Sequence, residues 1–411
     1  MVDYPNGEAA WLSASSPLRR EQRCYGGESN RPWQPKPNLA ASPNHPGDTH
    51  PWPAVRAMKA PYDDVMEAQP AGPRLREIIE RAQRFGPIRT AVVHPVDAIS
   101  LGGAVAAAAE KLIMPVLVGP EARIRATARQ AGISLDAYPL VPTEHSEAAA
   151  TRAVAMARRG EVEALMKGSL HTDELMRPVV DPEQGLRTGR RVSHVFVIDT
   201  PRYPRLLLVT DAAVNVSPTL EDKRDIVQNA IELAHILGIE VPRVAILSAV
   251  ETVTPKIRST LDAAALCKMA DRGQITGAVL DGPLAFDNAV SEKAAAAKGI
   301  VSPVSGRADI FLMPDLEAGN MLAKQLEYLD GAQIAGIVLG ARVPLMLTSR
   351  ADGILARLAS CAIAALLAHA EASPAAAVTD ALHDSGVTSN RPEHRRGDEA
   401  DQGVRTPAAP P

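Results

Sequence analysis

The chain has 411 residues, 46% of them hydrophobic but only 3% aromatic, and a formal charge of −4. A near-neutral balance excludes a nucleic-acid binder held by a basic stripe. Few aromatics require a core of Ala, Val, Leu and Ile, which suits a mostly parallel sheet between Ala-rich helices. The length allows one large domain or two ordinary ones. Cys24, Cys267 and Cys361 are far apart and form no CxxC, so neither a disulfide scaffold nor a cysteine–histidine zinc site is expected. The N-terminus has no apolar signal core, and the most apolar helix, Leu355 to Ala370, contains Arg357 and is too short to span a bilayer. A soluble cytoplasmic enzyme with no membrane partner is expected.

Residues 1–69 are read as a disordered tail, because Arg31-Pro-Trp-Gln-Pro-Lys-Pro and His50-Pro-Trp-Pro are too proline-rich for helix or central strand. Residues 373–411 are read as a second tail. Between them the pattern alternates. A helix face from Leu75 to Arg84 precedes a strand at Thr90–His94, and a helix opened by Asp97 runs to Leu112. Strand Pro115–Gly119, helix Glu121–Ala131 and helix Ser146–Arg159 follow, the last two closed by Gly132 and Gly160. Strand Glu163–Lys167 reaches Gly168, and a helix covers Asp173 to Val180. Val192–Asp199 and Arg205–Thr210 read as an antiparallel pair joined across Pro201 and Pro204. Thr219 caps a helix with Asp222 at the third position and Gly238 as its stop.

Strand Val244–Ser248 is next, then a helix opened by Thr254-Pro255 and closed by Gly273. Gly277–Pro283 reads as a strand with a sharp stop and Asn288–Lys298 as one helix. Strand Ala308–Pro314, helix Ala318–Leu329 and strand Ile334–Gly340 complete the alternation. The last unit is a short apolar strand from Val343 that stops at Thr348-Ser349-Arg350, followed by a helix from near Asp352 to His369. Such a unit makes an anion site, because guanidinium, hydroxyls and a helix N-terminus face the same way.

Ligands in open α/β sheets bind at carboxyl ends of strands. The residues there are Lys167-Gly168-Ser169, Thr210-Asp211, Asp281-Gly282-Pro283, Pro314-Asp315 with Gly319-Asn320, and Thr348-Ser349-Arg350. Each alone is as expected of strand ends and helix caps as of function. Five in one chain, two of them carrying Lys or Arg, point to a shared cleft. Single histidines near strand ends, His94, His171 and His194, are more often hydrogen-bonded structural residues than catalysts.

These stretches, with Leu175-Met-Arg177-Pro178, Val192-Ser-His194-Val, Thr210-Asp211-Ala-Ala-Val-Asn215 and Leu347-Thr-Ser349-Arg350-Ala-Asp352, resemble the phosphate acetyl/butyryl transferases, and look closer to the butyryl branch. The resemblance runs from about Leu75 to Leu367. It implies two α/β/α domains with mostly parallel sheets and an interdomain cleft, related to isocitrate and isopropylmalate dehydrogenases. Residues 72–190 plus 340–372 would form one domain and 191–339 the other.

The resemblance also implies transfer of a short acyl group between CoA and phosphate, with CoA as substrate, acyl phosphate as product, no metal, and a homodimer or larger assembly. Arg350 would bind phosphate and polarise the carbonyl, Ser349 would hydrogen-bond the sulfur or acyl oxygen, and Arg177 would be a second anion ligand. Lys167, Gly168, His194, Asp281, Gly282, Pro283, Gly319 and Asn320 would complete the substrate site. The acetyl branch places a basic aspartate seven residues after the serine. Here that position is Ala356, which leaves Asp352 as a substitute base or a helix cap. Two other readings are a metal- and NAD-dependent dehydrogenase using Asp211, Asp281 and Asp315, and a binding protein without turnover. The chain has no GxGxxG, since Gly102-Gly103 does not fit that spacing.

Overall fold

A computed structural model describes residues 72–348 and 352–371. Both tails, together with Ser349 and Arg350, lie outside the described residues.

The elements, in chain order, are α1 (Pro73–Gln83), β1 (Ile88–Val93), α2 (Ala98–Ala109), β2 (Ile113–Gly119), α3 (Glu121–Ala131), β3 (Leu140–Pro142), α4 (Ser146–Arg158), β4 (Ala164–Lys167) and α5 (Thr172–Val179). There follow β5 (Ser193–Asp199), β6 (Leu207–Thr210), α6 (Leu220–Ile236), β7 (Arg243–Leu247), α7 (Arg258–Asp271), β8 (Val279–Leu284), α8 (Phe286–Val290), α9 (Glu292–Ala297), β9 (Ile310–Leu312), α10 (Leu316–Leu329), β10 (Gln333–Leu339), β11 (Leu345–Met346) and α11 (Ile354–Glu371). The local signals acted as expected at several ends. Asp97 accepts from Ser100 N at 2.8 Å and caps α2. Thr219 and Asp222 form the reciprocal capping box of α6.

Three readings change. Thr254-Pro255 does not open α7, which begins at Arg258; the Thr260 hydroxyl instead donates to Thr254 O at 2.8 Å and takes Thr254 N–H at 2.9 Å. The helix expected over Asn288–Lys298 is two short ones, α8 and α9, broken at Ser291, whose extended backbone lets its side chain cap the second. The strand expected to stop at Asp281-Gly282-Pro283 runs through them as β8. It is an edge strand paired only with β7, where proline costs no ladder bond.

All strands among the described residues join one eleven-stranded sheet in the order β3-β2-β1-β4-β11-β10-β5-β6-β9-β7-β8. The last strand, β11, enters between β4 and β10. It runs parallel to β4 and antiparallel to β10, while β5 is antiparallel to both β10 and β6. From β6 outward, β9, β7 and β8 follow β6. The sheet therefore changes direction near its middle. Strands β1–β4 and β11 have their carboxyl ends on one edge, and β6–β9 have theirs on the opposite edge.

The core differs between the two faces. On one face Val92, Met166, Met346, Ile337, Val195, Leu208 and Ile246 belong to a single cluster with α1, α2, α6 and α11. On the other, alternation delivers Val93, Leu165, Leu345 and Val338 to a cluster under α4 and α5. Ile198, Val209, Phe311 and Leu247 form a separate cluster that includes Ala323 of α10. The apolar filling on this face is thus interrupted near β10 and β5. Helix α11 is the described helix long and apolar enough to cross a membrane, but it is largely buried against the sheet.

Candidate functional site

Five helices, α2, α3, α4, α5 and α11, begin beyond the carboxyl ends of β1, β2, β3, β4 and β11. Each helix start presents N–H groups that lack helical partners and a positive dipole end. Those of α3 and α5 carry no side-chain cap. Lys167 ends β4, is buried, and pairs in register with Val93. It therefore faces the interrupted side. Gly168 donates to Val93 O at 2.9 Å, and a Cβ there would strike that oxygen and lie 2.8 Å from His94 O. Only glycine permits this crossing. Arg177, on α5, is exposed and paired with Glu147 at 3.2 Å. It shares the edge with Lys167.

Beyond β11, Thr348 is buried and its hydroxyl accepts from Arg357 Nη1 of α11 at 3.0 Å. Ser349 and Arg350, expected next, are outside the described residues. Asp352 is half-buried and precedes the helix, whose first residue is Ile354. Ala356, where the resemblance calls for a base, is buried in the first turns of α11.

The interruption on the sheet face is occupied by His194 and Gly336. Val192, just before β5, belongs to one cluster and Phe196 of β5 packs on the other, with His194 between them. On β10, Val338 and Ile334 divide in the same way around Gly336. A Cβ at Gly336 would lie 2.9 Å from His194 Nε2 and 3.2 Å from Leu347 O. The missing side chain makes room for the imidazole beside the strand that leads to Thr348. The ring stacks edge-on to Phe196, with centroids 4.4 Å apart, and its Nδ1 is buried without a partner. Sequence reasoning passed over Gly336, although a glycine inside a strand signals a close approach.

Burial pushes the His194 imidazole down to about 4, against the opposing pull of the Asp211 charge. The folded state thus favours the neutral ring, and the unfolded state binds a proton first. Stability from this group is present above pH 6.5 and is lost as pH falls from there toward about 4. The expected loss across that window is on the order of 3 kcal/mol. Urea unfolding at pH 7 and pH 4.5 should show it in the wild type and not in His194→Gln; equal acid sensitivity in both would refute the assignment.

The opposite edge holds the other expected residues. Asp211 Oδ1 accepts from Ala213 N and Val214 N at 2.9 and 3.0 Å, and Oδ2 from His194 N and Asn215 Nδ2 at 3.1 and 2.6 Å. Gly319 lies against Asp211 O, where a Cβ would be 2.8 Å away, and Asn320 Nδ2 donates to Ala212 O at 3.1 Å. Asp315 caps α10 through Ala318 N at 2.9 Å. Asp281 sits in edge strand β8 and accepts from Gly282 N. Gly282 lets β8 close on β7, since its Cβ would be 2.8 Å from Ile246 O, and Pro283 follows in the same strand.

Strand direction therefore separates the five loops into two groups rather than gathering all of them at one edge. The carboxylates of Asp211 and Asp315 are taken by backbone or side-chain donors, so they do not support the metal-cluster reading of the dehydrogenase alternative. A cavity of about 250 Å³ on this edge is lined by Ser217, Arg258, Asp315 and the buried pair Lys223–Asp262, 2.7 Å apart.

The phosphate acetyl/butaryl transferase family pattern matches residues 143–365. The phosphate acetyltransferase of Rhizobium meliloti is 60% identical over 301 residues, covering 73% of this chain and 95% of its own. The phosphate butyryltransferase of Clostridium acetobutylicum is 46% identical over 253 residues, covering 62% of this chain and 84% of its own. The crystal structure of a branched-chain phosphotransacylase from Enterococcus faecalis V583 superposes with a TM-score of 0.60 at 29% identity, covering 69% of this chain and 99% of that one.

Proposed function

Because the chain belongs to the phosphate acetyl/butaryl transferase family, we propose that the edge around Lys167 and the exit of β11 carries its chemistry. The protein is an acyltransferase that moves a short acyl group, acetyl or butyryl, between CoA and inorganic phosphate. The observation that supports this location is the gathering of five helix starts around Lys167 on the edge where β11 leaves the sheet. A phosphate and a developing oxyanion both need such donors.

In the proposed reaction a phosphate oxygen attacks the thioester carbonyl and the thiolate of CoA departs. Arg350 holds phosphate through two parallel N–H bonds and polarises the carbonyl. Ser349 hydrogen-bonds the sulfur or acyl oxygen, and Arg177 and Lys167 add positive charge. Asp352 remains the acid nearest to Ser349 in sequence among the proposed site residues. His194 and Gly336 mark the floor of the proposed cleft. Its walls are residues 72–190 with 340–372 on one side and 191–339 on the other. No metal takes part in the proposed transfer, since phosphate is the acceptor.

The test is thiol release from acetyl-CoA and butyryl-CoA, with and without phosphate and with and without EDTA. Phosphate-dependent release that resists EDTA is expected. Release that needs no phosphate, or that EDTA abolishes, would remove this reading; CoA binding without turnover would leave only a binding protein.

The proposed assembly is a homodimer or larger, and the proposed setting is the cytoplasm, where Cys267 and Cys361 stay reduced. Helix α10 supports an interface, because Met321, Tyr328 and Leu329 are exposed on it. The double variant Met321→Glu, Tyr328→Glu is expected to halve the mass seen by light scattering of a dimer. A wild type that already runs as a monomer at micromolar concentration overturns the assembly.

A further inference from the structure

We propose that His94 is a positioning residue for the anion site, fixing the Gly168–Ser169 turn and through it the start of α5 and Arg177. This rests on the reading of that edge given above. His94 follows β1 and has φ 57, an αL conformation uncommon for a side-chain-bearing residue. Backbone in sparsely populated regions persists where surrounding contacts over-determine it, and such residues gather at functional sites.

Here the contacts are specific. His94 N donates to Val118 O of β2 at 2.7 Å. The left-handed turn then aims His94 O at two donors, Ser169 N and Val96 N, each at 2.9 Å. The ring continues the same grip, with Nδ1 2.8 Å from Ser169 O. A carbonyl oxygen only accepts, so Nδ1 carries the proton and donates. Ser169 is thus held through its N–H by the His94 backbone and through its carbonyl by the His94 ring.

That tautomer leaves Nε2 as an acceptor, and Nε2 is buried without a partner. Glu174 and Arg123 lie near enough for their charges to act on the ring, as does Asp97. Glu174 Oε2 and Thr143 Oγ1 are also buried without partners. Glu174 stands three residues before Arg177 on α5, and its charge acts on the His94 ring, so the ring lies beside the helix that it positions. Burial lowers the basicity of His94, which keeps the ring in this neutral form.

Three substitutions separate backbone from ring. Glycine accepts the αL backbone but lacks the donor. Asparagine accepts it and also offers an amide N–H in place of Nδ1–H. Alanine supplies neither. In phosphate-dependent thiol release, His94→Gly is expected to raise the KM for phosphate about tenfold or more with kcat much less changed, because the turn loses its register. His94→Asn is expected to recover most of that loss, and His94→Ala to be the worst. Equal KM values for His94→Gly and His94→Asn overturn the proposal.

A second measurement needs no turnover. Nitrogen NMR of the wild-type histidine rings is expected to show His94 as the Nδ1-protonated neutral tautomer, and an Nε2-protonated ring overturns the proposal. If the wild type lacks acyl transfer, the proposed activity fails by itself, while the tautomer still tests the grip on Ser169.

Discussion

Arg350→Ala is expected to lower kcat/KM for phosphate-dependent thiol release by about 10³-fold, or about 4 kcal/mol of transition-state stabilisation. A guanidinium can hold phosphate by two parallel bonds and also face the carbonyl oxygen as it gains charge. In the proposed reaction, removing it takes away both. The neighbourhood makes that loss large. Thr348, the residue before Ser349, is held by the Arg357 side chain of α11. Lys167 lies in the adjacent strand on the cleft side. Arg350→Lys restores charge without the planar fork and is expected to recover only a small part of the rate. Near-wild-type turnover of Arg350→Ala would remove Arg350 from the mechanism and move attention to Arg177 and Lys167.

The second large effect is on stability. Asp211→Ala is expected to cost about 4 kcal/mol, because it removes the acceptor from four N–H donors at once, three of them on the backbone. Asp211 is almost fully buried, so water does not take over these donors. Asp211→Asn keeps one oxygen for Ala213 and Val214 but sets an amide N–H₂ against His194 N and Asn215 Nδ2. It is expected to lose roughly half as much. Urea unfolding measures both. A loss under about 1 kcal/mol for the alanine variant would show that the network is dispensable. Gly319 and Asn320 pack on the same turn, against Asp211 O and Ala212 O. Their place in the fold is explained by that turn without a ligand.

Much of the local structure was legible because its causes lie within a few residues of each other. The Asp97 cap, the Thr219–Asp222 box and the glycine after α3 are short-range hydrogen-bond and dihedral preferences. The family resemblance was legible for a related reason: side-chain chemistry set in a fixed order along the chain. Where the sequence misled, a local signal was real but outcompeted. Thr254-Pro255 has the form of a helix start, yet Thr260 folds back onto it. Asp281-Gly282-Pro283 has the form of a turn, yet a sheet edge tolerates proline and Gly282 lets β8 approach β7.

Local sequence pattern was enough for most of the elements, the α/β class and the family. Which strand ends share an edge came from the folded chain alone. Nothing in β6 or β9 alone reveals that they run against β4 and β11, because strand direction is set by pairing partners far away in the chain. The same holds for His194 and Gly336, 142 positions apart, which meet only because β5 and β10 are neighbours. It holds also for His94 and Ser169, brought together by the pairing of β1 with β4. Side-chain chemistry is local, but convergence depends on long-range strand order, and the sequence pattern of a strand is nearly the same in either direction.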